Sequence, residues 1–265
     1  MELGISTASL FMRENNEDAV KTIESLGSRI TEVFFETFKE YTKEFSDLIK
    51  SRLNNMRVHS VHVYTLHFEP ELFSDNARSL EEAVSAYRNV LISAENLGAK
   101  NYTMHGRARI KRTVNYDNYE KIGKRLDYLS KVAKEYGVDL CLENVEWALY
   151  NRVGFFKEVS GFAPDLKATI DIKQARISGE SVYDYIKETA GKIKTVHLSD
   201  IGANGERCMP GKGVTDFYEL FSVLNDYGFD GGALIEVYKD DYKDIGELKN
   251  SLEYLENIKQ KIWRH

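Results

Sequence analysis

The sequence predicts a single (β/α)8 barrel with parallel strands, the TIM-barrel architecture, spanning residues 1–265 as one domain. Three observations lead there. Short β-branched or aromatic runs alternate eight times with longer amphipathic stretches, and strands joined through helical crossovers run parallel. The turn after the first strand reads Ile5-Ser6-Thr7-Ala8, not the glycine-rich fingerprint of an open dinucleotide-binding sheet. The 265 residues match the ~250 typical of such barrels, and no proline- or serine-rich linker divides them.

Taken in order, the strands fall at residues 3–6, 31–37, 58–64, 101–105, 138–143, 167–171, 194–198 and 233–238. Their starts lie roughly 25 to 40 residues apart, the room that a strand and its crossover helix need. After the third strand, residues 77–97 place Leu80, Ala83, Val84, Tyr87, Val90, Leu91, Ala94 and Leu97 on one helical stripe. Gly98 stops that helix just before the fourth strand. A helical stretch over 131–136 stops at Gly137 in the same way. Another begins after Asp216, with Thr215 or Asp216 as its N-cap, and breaks at Gly228 after Tyr227.

Composition narrows the function classes. Hydrophobic residues at 42% and charged residues at 29% exclude disordered, collagenous and membrane-spanning chains. A net charge of −6 offers no electrostatic footprint for nucleic acid or an anionic membrane. The two cysteines, Cys141 and Cys208, have no paired spacing, so a reducing compartment is expected. With no basic-then-apolar leader and no long apolar run, a soluble cytoplasmic protein is expected.

Catalytic groups of a parallel barrel gather at the C-terminal ends of its strands. Four consecutive strands carry an ionisable residue there: Glu143, Asp171, His197 and Glu236. Three converging carboxylates would repel one another and raise each other's pKa, a conflict that a divalent cation resolves. Three oxygen donors and one imidazole suit Mn²⁺ or Mg²⁺ best, with Zn²⁺ or Co²⁺ also compatible.

Leu142-Glu143-Asn144, Ile170-Asp171-Ile172-Lys173-Gln174-Ala175, Val196-His197-Leu198-Ser199-Asp200, Pro210-Gly211-Lys212-Gly213-Val214-Thr215-Asp216-Phe217 and Ile235-Glu236 together resemble the xylose-isomerase-like barrel superfamily. That group includes ketose epimerases, hydroxypyruvate isomerase, inosose dehydratases and isomerases, and type IV AP endonucleases. The resemblance implies one divalent metal ion held by Glu143, Asp171, His197 and Glu236, with Glu143 and Glu236 also catalytic as acid and base. A hydroxyketone would chelate the ion, which lowers the cost of the enediolate formed by proton removal. His62 and His105, on the third and fourth strands, also look like the family and are candidate substrate contacts.

Further substrate-binding candidates follow from the same comparison. Arg207 stands three residues before the Pro210-Gly211 turn, as does a substrate-binding arginine in some ketose epimerases. Gln174 occupies the place of a histidine that touches substrate in several epimerases and binds metal in the endonucleases. With Gly205-Glu206-Arg207 replacing an Asp-x-His as well, a three-metal nuclease site is incomplete. Lys212 belongs either to a tight glycine turn or to a phosphate or carboxylate site. Trp147 and Tyr150 are candidates for an apolar pocket wall, Cys141 for a barrel filler, and the roles of Lys173 and Glu36 stay open.

The expected activity is a metal-dependent isomerase or epimerase of a small-molecule carbohydrate, a keto-sugar or related polyhydroxy carbonyl compound. A lyase dehydrating an inosose-like keto-cyclitol would use the same metal and the same proton abstraction. A metal-free glycosidase would also place carboxylates at strand ends, although Asp171 and His197 beside them disfavour it, and a non-catalytic ligand-binding barrel is a further alternative. The resemblance also implies homodimers or homotetramers, and the net charge of −6 argues against nucleic acid or a membrane as partner.

Overall fold

Eight parallel strands close into a barrel in chain order: β1 (Glu2–Ser6), β2 (Ile30–Phe35), β3 (Arg57–Val63), β4 (Asn101–Met104), β5 (Asp139–Glu143), β6 (Lys167–Asp171), β7 (Ile193–Leu198) and β10 (Gly232–Ile235). The computed structural model describes residues 1–64, 67–108 and 118–263. Closure is made by β1, where Ile5 lies opposite Ile235 on one side and Thr31 on the other. Around the barrel run α1 (Asn16–Ser25), α2 (Lys43–Arg52), α3 (Ala77–Leu97), α4 (Tyr119–Lys134), α5 (Phe155–Ser160), α6 (Ile172–Ile177), α7 (Val182–Glu188), α8 (Phe217–Asp226) and α9 (Gly246–Ile262). No described helix is long and apolar enough to cross a membrane.

The helices begin and end where local chemistry dictates. Asn76 caps α3 by accepting from the backbone N–H groups of Arg78 and Ser79, and Gly98 ends it in the left-handed conformation at φ 74°. Asp216, rather than Thr215, caps α8 through the N–H of Glu219. Several strands stop earlier than the sequence pattern suggests. Consequently Glu36, His105 and Glu236 each lie just beyond a strand end, at the start of a loop.

An additional two-stranded antiparallel hairpin, β8 (Asp200–Ile201) with β9 (Arg207–Cys208), follows β7. Beyond it the glycine turn is organised by Asp200, a buried carboxylate that accepts from the N–H groups of Ile201, Gly211, Gly213 and Thr215. A Cβ on Gly213 would lie 2.3 Å from the Ile201 carbonyl oxygen, so glycine is required there by close approach.

The two faces of the barrel strands have different chemistry. Val33, Phe35, Val61, Val63, Leu140, Ile170, Val196 and Ile235 are fully or almost fully buried and join helix residues such as Val20, Ile23, Ile49, Tyr87 and Leu126 in one apolar core. Burying each such large side chain contributes about 1.5–3 kcal/mol. The other face is polar. Thr103 on β4 and Thr169 on β6 meet hydroxyl to hydroxyl at 3.1 Å, and His59 on β3 reaches Thr195 on β7 at 3.1 Å. Such contacts join non-adjacent strands and therefore cross the barrel interior, whose floor is hydrogen-bonded rather than oily.

Candidate metal centre

Glu143, Asp171, His197 and Glu236 come together at the mouth of this polar interior, exposed by 2%, 2%, 1% and 8%. Glu143 and Asp171 end β5 and β6, His197 lies one residue before the end of β7, and Glu236 follows β10. The His197 Nδ1 lies 2.9 Å from Glu143 Oε1 and 2.8 Å from Glu236 Oε2. Donor atoms of Glu143, Asp171 and His197 fall within 4.8 Å of one another, as do those of Glu32, His197 and Glu236. Asn144 fixes the neighbouring strand end: its side chain accepts from the Asp171 N–H and donates to the Asp171 carbonyl.

Two features of this set fit a divalent cation. Buried carboxylates without partners are costly, yet Glu143 Oε2 and Glu236 Oε2 have no well-aligned hydrogen bond. The donors, three carboxylates and one imidazole, are also the kinds that such ions take.

The protonation pattern departs from the mutual pKa raising that the sequence suggests. Burial would lift both Glu143 and Glu236, but the charge and hydrogen bonding of His197 hold them below the usual range. Conversely, burial would lower His197, but Glu236, Glu32 and Glu143 raise it well above 6.5. Asp171 alone of the four is a raised carboxylate, because burial outweighs the nearby Lys173 ammonium.

Above the cluster lies a cavity of about 310 Å³ walled by Ala8, Phe11, Phe34, Tyr64, Trp147 and Tyr238, with His62, His105 and Glu236 also lining it. Trp147 thus takes the predicted wall position, stacked near His105 at 5.2 Å. Tyr150 does not: it is fully buried against Phe155, Phe156 and Tyr185. His62 donates through Nδ1 to the Thr103 carbonyl at 2.9 Å, and its Nε2 is 3.8 Å from Glu143. His105 places Nε2 3.5 Å from Glu143 and Nδ1 3.4 Å from Glu69. His62, His105 and Glu143 form a third grouping of candidate ligand atoms.

The remaining candidates lie further out. Gln174 accepts from the Glu146 N–H, and its own N–H donates to Asp171 Oδ1, so it braces Asp171. Arg207 stacks 4.4 Å from the Tyr238 ring centre and pairs with Asp241, one layer behind the cavity wall. Lys212 pairs with Glu247 in α9, which makes it part of the turn. Lys173 is buried, with Nζ 3.5 Å from Asp171 Oδ2 and 3.3 Å from the Tyr238 hydroxyl. Glu36 sits at the rim, its N–H donating to Glu40. Cys141 is a buried free thiol inside the barrel wall.

Two buried carboxylates escaped the sequence reading. Glu32 on β2 lies 3.0 Å from His197 Nε2, beneath the cluster. The signal available was a charged residue in mid-strand, at the same parity as the cavity-lining Phe34. Glu69 accepts from the Tyr102 hydroxyl at 2.5 Å and from the N–H groups of His105 and Gly106, so it anchors the loop bearing His105.

Comparison with known proteins agrees with this fold. The family model described as xylose isomerase-like TIM barrel matches residues 20–258. An uncharacterised protein of Methanocaldococcus jannaschii is 23% identical over 97% of this chain and 99% of its own length. An inosose isomerase of Halalkalibacterium halodurans is 26% identical over 45% of this chain and 46% of that protein. An inosose dehydratase of Clostridium perfringens is 23% identical over 54% of each. Among solved structures, IolI protein with a bound zinc atom superposes with a TM-score of 0.80 at 17% identity over the whole of both chains. D-psicose 3-epimerase from Clostridium cellulolyticum H10 does so with a TM-score of 0.76 at 19% identity, over 98% of this chain and 99% of the other.

Proposed function

The chain belongs to the xylose isomerase-like TIM barrel family, and from that premise we propose that it is a divalent-metal-dependent isomerase or epimerase of a small keto-sugar or related polyhydroxy carbonyl compound. The observation that carries this reading is the convergence of Glu143, Asp171, His197 and Glu236 beside a 310 Å³ cavity, with Glu143 Oε2 and Glu236 Oε2 lacking a well-aligned hydrogen bond. These four residues would hold the ion. When bound, it would supply Lewis-acid stabilisation of negative charge on substrate oxygens.

The chain's own groups supply the proton chemistry. Glu143 and Glu236 reach the centre from β5 and from beyond β10, with β6 and β7 between them, so they approach it from different sides. One carboxylate takes the proton from the carbon beside the carbonyl. The other, first protonated from solvent, gives that proton to the opposite face, for epimerisation, or to the neighbouring carbon, for isomerisation, and the first then releases its proton to solvent to reset the pair. Phe11, Phe34, Trp147 and Tyr238 exclude water from the reacting carbon and pack on its C–H groups. His105, held by Glu69, presents its ring to substrate oxygens from the cavity lining.

Dehydration of a keto-cyclitol is the second reading, supported by the partial matches to inosose enzymes. It begins with the same proton abstraction and ends with loss of a hydroxyl. The deciding experiment incubates chelated and Mn²⁺-reconstituted protein with ketoses and inososes and follows product mass. Isomerisation conserves mass, and dehydration loses one water. Turnover that survives chelation would refute the metal-dependent reading.

A further inference from the structure

We propose that Glu32 is a positioning residue, which orients the His197 imidazole so that Nδ1 rather than Nε2 faces Glu143 and Glu236. The inference rests on the reading that these residues hold a divalent ion, and it assigns a role to a carboxylate outside that ligand set.

Four observations converge on it. Glu32 is fully buried inside the barrel, reaching from β2 to β7, and these strands are not neighbours in the sheet. Its Oε1 lies 3.0 Å from His197 Nε2, a close contact that is not a well-aligned hydrogen bond and the one ion pair it makes among the described residues. Its carboxylate is clamped by hydroxyls from three other strands: Ser60 donates to Oε2 at 2.7 Å, Thr103 donates to Oε2 at 3.1 Å, and Ser6 donates to Oε1 at 3.2 Å. Finally, the ring's other nitrogen is the one that meets Glu143 and Glu236, at 2.9 and 2.8 Å.

The physical consequence follows from imidazole chemistry. A neutral imidazole carries one proton, and a carboxylate facing Nε2 keeps that proton on Nε2. The lone pair then resides on Nδ1, on the side of the ligand cluster. A carboxylate behind a ligating histidine also fixes the ring plane and strengthens the nitrogen as a donor, and its removal typically weakens metal binding 10–100-fold. A barrel interior needing only to be filled would take an aliphatic side chain here. A carboxylate held by three hydroxyls is a costly filler unless its charge is used.

The test compares wild-type protein with Glu32→Gln and Ser60→Ala, using Co²⁺ as probe. Calorimetry measures affinity, and proton NMR in water follows the exchangeable, hyperfine-shifted Nε2–H resonance of the ligating histidine. Expected are a 10–100-fold loss of Co²⁺ affinity in Glu32→Gln and a shifted, faster-exchanging Nε2–H resonance. Ser60→Ala removes one hydroxyl without touching His197, and it should move both readouts in the same direction by less. Unchanged affinity and resonance in a folded Glu32→Gln would overturn the inference while leaving the metal site intact. If Glu32→Gln does not fold, the same null result in Ser60→Ala overturns it. A wild-type protein that binds no Co²⁺ overturns this inference and the metal-dependent function together.

Discussion

Binding of a divalent ion should release protons and tighten as pH rises toward the raised pKa of His197, by up to about tenfold per pH unit. His197 stands 2.8 Å from Glu236, 2.9 Å from Glu143 and 3.0 Å from Glu32. Burial opposes its charge, but these carboxylates raise its pKa well above 6.5. The raised pKa favours the doubly protonated ring, and Nδ1 must lose its proton to become a ligand. Each pH unit below the folded-state pKa then costs about 1.4 kcal/mol of binding, so affinity changes about a hundredfold over two units. Glu143 and Glu236 are held low and add no protons in this range. Asp171, raised chiefly by burial, adds release at the acidic end.

The assay is calorimetric titration with Mn²⁺ in two buffers of different ionisation enthalpy, at pH 6, 7 and 8. Affinity independent of pH, with no proton released, would refute the assignment of a protonated His197 as the gate. The sign for stability is opposite. A raised histidine pKa stabilises the ion-free fold fully below pH 6.5, and this contribution is lost as pH rises through the folded-state pKa. Ion-free protein should lose melting temperature over the interval in which ion binding strengthens.

Three further outcomes are expected. Glu36 is pushed up to about 7 by burial, then by Glu40 and Glu17, so its ionisation costs stability as pH rises from 4.5 and the cost levels off above 7. Glu36→Gln should therefore melt higher than wild type at pH 8 and equally at pH 4.5; equal gains at both would contradict this. Asp200→Ala strands four backbone N–H groups, at about 1–3 kcal/mol for each that stays dry. It should lower the melting temperature by roughly 10 °C while calorimetry still finds one Mn²⁺ per chain. Glu236→Gln should reduce kcat by about 10²–10⁴ through loss of a proton-transfer carboxylate, whereas a kcat within a factor of two of wild type would remove Glu236 from catalysis.

The barrel was legible because each strand-plus-helix unit carries its own period and its own stop signal, as residues 77–97 with Gly98 show. The four clustered residues were legible because a charge at the end of a β-branched run has no packing reason to be there. Glu32 was not, because mid-strand it is flanked by Thr31 and Val33, and only its partners on other strands disclose its role. Glu69 lies in a short acidic loop that reads as solvated until Tyr102 and the His105 backbone are placed against it. For Lys212 the sequence leaves a tight turn and a phosphate or carboxylate site open, and for Arg207 the family resemblance implies substrate binding. Their partners, Glu247 and Asp241, are 35 and 34 residues away, beyond the reach of local pattern.

The division of labour between the strand faces explains why such a charge-rich centre is tolerated. Apolar packing is confined to the layer between strands and helices, where Val33, Val61, Ile170 and Val196 lie. The interior is given over to Ser6, Glu32, Ser60, Thr103 and Thr169, each hydrogen-bonded across strands. Truncation in the outer layer, such as Val196→Ala next to His197 in sequence, removes dispersion contacts and should cost stability with little change in ion affinity. Isosteric replacement inside, as in Thr103→Val, strips a hydroxyl from Glu32 and should cost ion affinity more than stability. The two effects separate because alternate residues of a strand face different environments, and His197 and Val196 sit side by side on opposite faces of β7.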